Sequence, residues 1–251
     1  MSGHSKWSTI KRKKGKADAE RGKLFTKLIR EITIAAKDGG GDAEANPRLR
    51  TALAAARAGN MPAANIERAI KKGTGELPGV TYEEVAYEGY GPGGVAFLIE
   101  TTTDNRNRTT ADIRHLLTKH GGSMGEVGSV AWLFERKGMM VLDKSAGEED
   151  DVLMVALEAG AEDVSDDDDV WTITTPDTLL HTVADALTEA GMTPERVEIV
   201  RIATTTIELD RDNAGKVLKL AELIEDNDDV TRVSANFDLP DDLMAELAEA
   251  E

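Results

Sequence analysis

The sequence predicts an α+β protein of three domains: an N-terminal three-helix bundle and two α+β domains, one of them ferredoxin-like and inserted in the other. Three observations carry that expectation. Residues 18–73 show helical periodicity with short connections and no strand pattern. From residue 80 the pattern changes to short strands alternating with helices. One run within that stretch has the complete order β-α-β-β-α-β, whereas the elements flanking it lack partners of their own.

Residues 1–16 are basic without periodicity and read as an arm, with Lys11-Arg12-Lys13-Lys14-Gly15-Lys16 its densest charge. A helix starts near Asp18, a residue type suited to an N-cap, and stops at about Lys37 before Gly39-Gly40-Gly41. Leu24, Phe25, Leu28, Ile29, Ile32, Ala35 and Ala36 share one face. Lys23, Lys27, Arg30 and Lys37 form a basic stripe opposite, interrupted by Ile34. Asn46-Pro47 opens a second helix as N-cap and first helical residue, with Leu49, Leu53 and Ala56 inward. Pro62 opens a third, with Ile66 and Ile70 inward, Arg68, Lys71 and Lys72 outward and Gly73 as its stop. Residues 73–79 read as a linker.

Beyond it, residues 83–90 read as a strand, Gly91-Pro92-Gly93-Gly94 as a turn, 95–102 as a strand, 109–120 as a helix and 129–134 as a strand. The complete run follows: strand 138–143, helix 149–159, strands 161–165 and 170–174 around Asp166–Asp169, helix 177–190 and strand 197–202. A strand at 206–209, a helix over 214–225 and a strand over 232–237 then complete the earlier sheet. The expected domains are 1–79 (arm and bundle), 80–134 with 204–240 (discontinuous α+β), 135–203 (ferredoxin-like) and a C-terminal extension, 241–251.

Charge is divided unevenly along the chain. Residues 1–80 carry 17 Lys/Arg against 8 Asp/Glu, and residues 81–251 carry 13 against 39. A basic module joined to an acidic body suits a polyanionic partner held at one end. The acidic body repels phosphate over a Debye length of about 8 Å at physiological salt, which confines contact to the basic end. The competing reading is that the bases neutralise the chain's own acidic domains.

Several function classes are excluded or disfavoured. With no cysteine there is no disulfide, zinc-thiolate site or thiol catalysis. His4, His115, His120 and His181 never fall four apart, and Asp166–Asp169 lacks the glycine and closing Glu of a calcium loop, so no metal or cofactor is expected. The Gly89–Gly94 glycines precede a strand rather than a helix, which favours a hairpin over a phosphate loop. No nucleophile elbow occurs, so no enzyme and no small-molecule substrate are expected. No apolar run reaches signal-peptide or membrane-spanning length, and the expectation is a cytoplasmic protein without a membrane partner.

The candidate nucleic-acid contacts are Lys6, Trp7, Lys11, Arg12, Lys13, Lys14 and Lys16 on the arm, and Lys23, Lys27, Arg30, Arg68, Lys71 and Lys72 on the bundle. Trp7 suits either stacking on a base or anchoring the arm, with anchoring favoured. Asn105, Arg106 and Arg108 add a second group at a strand-to-helix corner. Arg and Asn there suit phosphate and base edges, and pairing with local acids is the alternative use.

The sequence resembles the YebC/PmpR family at Gly3-His4-Ser5-Lys6-Trp7, Lys23-Leu24-Phe25-Thr26-Lys27, Arg30-Glu31-Ile32, Asn46-Pro47-Arg48-Leu49-Arg50, Asn60-Met61-Pro62 and Asn65-Ile66-Glu67-Arg68-Ala69-Ile70. It continues at Tyr87–Gly94, Thr103–Arg108 and Ala235-Asn236-Phe237, so it covers nearly the whole chain. The resemblance implies a helical N-terminal bundle and two α+β domains. It implies a DNA-binding transcriptional regulator or, as for mitochondrial translational activators and relatives linked to ribosomes stalled on proline-rich sequences, a factor bound to ribosomal RNA. A non-catalytic protein-interaction scaffold is the third reading. Duplex DNA, ribosomal RNA and the ribosome are thus the expected partners.

Overall fold

The computed structural model describes residues 19–167, 169–239 and 243. Helix α1 (Ala19–Gly39) packs against α2 (Pro47–Ala58) and α3 (Ala63–Gly73). Asn46 caps two helices at once. Its Oδ1 accepts from Leu49 N at 3.1 Å, and its Nδ2 donates to Ala35 O at 2.7 Å and Gly40 O at 2.9 Å. Gly73 ends α3 but is not in a left-handed conformation: it is needed because a Cβ there would lie 2.3 Å from Thr33 O on α1. Leu49, Ala52, Leu53, Ala56 and Ala69 close an aliphatic core around Ile32, Ala35 and Ala36.

Strands β1 (Glu83–Tyr90) and β2 (Ala96–Thr103) form the expected antiparallel hairpin, with Tyr90 opposite Ala96. Pro92–Gly94 is a 3-10 turn with Gly93 at φ 71°. Helix α4 (Arg106–Lys119) starts three residues before the sequence pattern predicts, because Asn105 caps it by accepting from Arg108 N at 3.1 Å. A short β3 (Ser123–Met124), absent from the sequence reading, pairs with β1.

The strand expected at 129–134 is corrected: residues 131–133 form a 3-10 turn and extended structure begins only at Phe134. The reason is Glu88. This buried carboxylate accepts from the backbone N–H of Gly128 and Val130, both at 2.6 Å, and of Ala131 at 2.8 Å, so these groups are not available to a ladder. Burial works against the ionised carboxyl, but the three N–H donors outweigh it and hold its pKa below the ordinary value.

Residues Glu135–Ile202 form a separate compact unit, inserted between Phe134 and Ala203 of the other. It contains most of β4 (Phe134–Asp143) and β7 (Arg196–Ala203), with α5 (Glu149–Glu158), β5 (Asp163–Asp167), β6 (Val170–Pro176) and α6 (Leu180–Glu189) between them. The strand order β5-β6-β4-β7 is the ferredoxin-like one. Met140, Leu142, Trp171 and Ile173 pack beneath Val152, Ala156, Val183 and Leu187.

The chain then returns through β8 (Ile207–Glu208), α7 (Arg211–Glu225), β9 (Val230–Ala235) and β10 (Phe237–Asp238). β9 joins β2, completing the order β3-β1-β2-β9. Asn236 fixes this closure: its Oδ1 accepts from Ala96 N at 2.7 Å and its carbonyl from Ile207 N at 2.7 Å. The fold is therefore α+β with an inserted ferredoxin-like unit, as the pattern of incomplete elements implies.

The Glu88 clamp predicts that Glu88→Gln lowers stability by about 1.5–3 kcal/mol, the range for hydrogen bonds to a charged group. It should also speed hydrogen exchange at Gly128, Val130 and Ala131. Unchanged exchange at those three amides would refute the clamp.

Candidate nucleic-acid interface

The bases of the α1 stripe each reach an acceptor within the chain, with Lys23 and Lys37 still exposed and Lys27 and Arg30 partly buried. Lys23 Nζ pairs with Asp226 Oδ1 at 3.2 Å, and Lys27 Nζ donates to Glu225 O at 2.6 Å. Arg30 Nη1 donates to Asp229 Oδ1 at 2.9 Å, Thr102 O at 3.3 Å and Asp228 O. All three acceptor sets lie at or next to the turn between α7 and β9. Ile34, which breaks the stripe in the sequence, is buried, as expected of a face packed on both flanks. Burial lowers the Lys27 pKa, with Glu225, Asp226 and Asp228 pulling against that shift.

Asp229 is the centre of this contact, with 3% of its surface exposed. Besides Arg30, its Oδ2 accepts from Arg108 Nη2 at 2.7 Å and from Thr109 Oγ1 at 2.7 Å. Thr103 Oγ1 donates to the same oxygen at 3.3 Å. The same Arg108 Nη2 also donates to Asp104 Oδ1 at 2.8 Å. Burial opposes the ionised Asp229, but the Arg108 and Thr109 hydrogen bonds and the charges of Arg30 and Arg108 outweigh it, so its pKa sits below the ordinary carboxylate value. A second arginine, Arg48, fastens the bundle to β1: its Nε donates to Glu31 at 2.8 Å and its Nη1 to Glu84 at 3.0 Å.

The candidate residues thus fall into four groups. Lys23, Lys27, Arg30 and Arg108 are engaged by the chain's own acids or carbonyls, and the Asn105 side chain is engaged as a cap. Lys71 pairs with Glu67 at 2.6 Å on the α3 surface. Arg68 and Lys72, four residues apart on α3, and Arg106 at the start of α4 are exposed with no side-chain polar partner among the described residues. The arm residues Lys6, Trp7, Lys11, Arg12, Lys13, Lys14 and Lys16 lie outside the described residues.

Sequence reasoning did not single out an aromatic pair near the Glu88 clamp. Tyr90 Oη and Trp132 Nε1 both donate to the Ser129 carbonyl, at 3.2 and 3.1 Å. Trp132 is 71% exposed, and Val127 in the same loop is 94% exposed. The signal was Trp132 itself, one of only three tryptophans, placed in a segment read as strand. No group of described residues could hold a metal ion, and no helix among them is long and apolar enough to cross a membrane.

Removing Asp229 leaves Arg30 buried without its counter-charge. Asp229→Ala should therefore cost about 3–5 kcal/mol in thermal or denaturant unfolding. Because the folded-state pKa is depressed, the stabilisation is complete above the unfolded carboxylate pKa and is lost as pH falls through the folded value. Asp229→Asn should remove that part of the acid-side dependence; an unaltered acid limb would contradict the assignment.

Comparison with known proteins matches two family models to the chain. Residues 5–76 match the model of the TACO1/YebC protein N-terminal domain, and residues 82–237 match that of the TACO1/YebC second and third domain. A probable transcriptional regulatory protein of Koribacter versatilis is 55% identical over 248 residues, covering 99% of this chain and all of that protein. One from Geotalea uraniireducens is 57% identical over 244 residues, covering 97% and 98% of the two chains. The crystal structure of a conserved hypothetical protein from Aquifex aeolicus superposes with a TM-score of 0.83 at 50% identity, covering 90% of this chain and 93% of that one. With both family models and full-length relatives matched, the chain belongs to the TACO1/YebC family.

Proposed function

We propose that this protein is a non-catalytic, nucleic-acid-binding regulator of gene expression that holds its polymer through the basic N-terminal end. The observation that carries this reading is the charge division: 17 Lys/Arg against 8 Asp/Glu in residues 1–80, and 13 against 39 thereafter. Part of the basic charge is consumed internally by the Glu225–Asp229 turn. Lys6, Lys11, Arg12, Lys13, Lys14 and Lys16 of the arm, together with Arg68, Lys72 and Arg106, form the proposed contact set. Lys23, Lys27, Arg30 and Arg108 hold the fold that presents it. The names of the relatives, probable transcriptional regulatory proteins, support a promoter-bound role with duplex DNA as polymer.

A ribosomal-RNA role is the second reading, and the Tyr90–Trp132 pair favours it. An exposed aromatic pair on a clamped loop suits unstacked bases, which irregular RNA offers and an intact duplex does not.

Charge reversal of Lys11, Arg12, Lys13, Lys14 and Lys16 to Glu should abolish binding of either polymer in fluorescence anisotropy, and wild-type affinity should fall steeply with salt. Salt-independent binding, or full binding by a chain lacking residues 1–80, would sink the proposal. Crosslinking in cells with sequencing of both DNA and RNA separates the polymers. For the RNA reading, Trp132→Ala should weaken binding to a loop-containing ribosomal RNA fragment by about 1–3 kcal/mol while leaving duplex DNA affinity unchanged. Equal affinity for that fragment in both proteins would return the loop to a purely structural role.

A further inference from the structure

We propose that the outer face of α5 is a docking surface for a lysine- and arginine-rich amphipathic protein segment. Helix α5 buries Val152 and Ala156 in its unit's core, with Val155 packed alongside. Its opposite face is also apolar: Leu153, Met154 and Leu157 are 38%, 54% and 45% exposed. With Asp150 they occupy the i, i+3, i+4, i+7 positions of one stripe. A helix that is apolar on both faces is one that is covered on both faces. Beside the stripe lies an open depression of about 280 Å³, lined by Asp151, Met154, Val155 and Met192 among others. Methionines on such a surface adapt to varied apolar side chains.

Charge selects the occupant. Residues 135–202 carry 18 Asp/Glu against 5 Lys/Arg. Glu149, Asp150 and Asp151 begin the helix and Glu158 ends it; all four are exposed, and none has an ion-pair partner among the described residues. Polyanionic nucleic acid is repelled from this rim. A symmetric contact with the same face of a second copy would set these carboxylates against one another. A basic helix can lay apolar side chains along Leu153, Met154 and Leu157 while its lysines and arginines reach the acidic rim. Proteins that bind nucleic acid carry segments of this composition, so the face suits a protein partner met on the same polymer.

The test uses the full chain and a fluorescein-labelled 14-residue peptide of leucine and lysine in helical order. Its control has the same composition in strictly alternating order. The helical-order peptide should bind with salt-sensitive affinity and the alternating one at least tenfold more weakly. Leu153→Ser, Met154→Ser and Leu157→Ser together should weaken binding at least tenfold. Met154→Lys, at the most exposed of the three positions, should do so without touching a core contact. Duplex DNA affinity should stay unchanged in both variants, which keeps this result independent of the proposed regulatory function. Undiminished peptide binding by the variants, or equal binding of the two peptides, overturns the proposal. So does a concentration-dependent dimer in sedimentation equilibrium that the triple substitution abolishes, since the face is then a self-association surface.

Discussion

One buried carboxylate organises the larger unit. Asp229 receives Arg30 from α1, Arg108 and Thr109 from α4 and Thr103 from the end of β2. Four groups distant from Asp229 in sequence are thereby fixed on its two oxygens, and the bundle is fastened against the first sheet. A buried charge left unpaired is costly, so the nearly buried Arg30 and Asp229 depend on one another. The turn around Asp229 engages Lys23, Lys27 and Arg30 of the α1 stripe, whereas Arg68, Lys72 and Arg106 are exposed with no side-chain polar partner among the described residues.

This arrangement reconciles the two readings of the uneven charge. Some of the N-terminal bases do neutralise the chain's own acids, as Lys23 with Asp226 does. The same use extends to Arg48 on α2, with Glu31 and Glu84, and to Lys71 on α3, with Glu67. Arg68 and Lys72 on α3 have no such partner among the described residues. The inserted unit stands at the other extreme, with an acidic rim around an apolar helix face. Basic and acidic regions therefore suit different classes of partner.

Most of the fold was legible because local signals agreed with it. Asn46-Pro47 marked a helix start that the structure doubles as a cap on α1. The unpartnered strand after α7 correctly implied return to the first sheet, where β9 pairs with β2. The segment at 129–134 misled because its β-like composition says nothing about a carboxylate some forty residues earlier that takes its N–H groups. The site was less legible for the same reason. Periodicity shows that Lys23, Lys27 and Arg30 share a face, but whether solvent or Asp226 and Asp229 lie opposite depends on tertiary packing. Arg108 suited either phosphate or local acids by its sequence and is paired to two acids, whereas Arg106, two residues away, has no such partner among the described residues. Each residue of the motif Tyr87-Glu88-Gly89-Tyr90 also makes a contact within the fold. Tyr87 reaches Thr110, Glu88 holds its loop, Gly89 lets β1 lie close to Ser123, and Tyr90 meets Ser129.

The central claim is that internal acids, not nucleic acid, own the α1 stripe, while the outward bases serve the polymer. The salt dependence of duplex binding counts the phosphates each set contacts. The variant Arg68→Gln/Lys72→Gln/Arg106→Gln should reduce the slope of log affinity against log salt by roughly two to three, at about 0.9 per phosphate contact. The variant Lys23→Gln/Lys27→Gln should leave the slope as it is in the parent protein. A slope reduced by the α1 pair and untouched by the outward three would contradict the account.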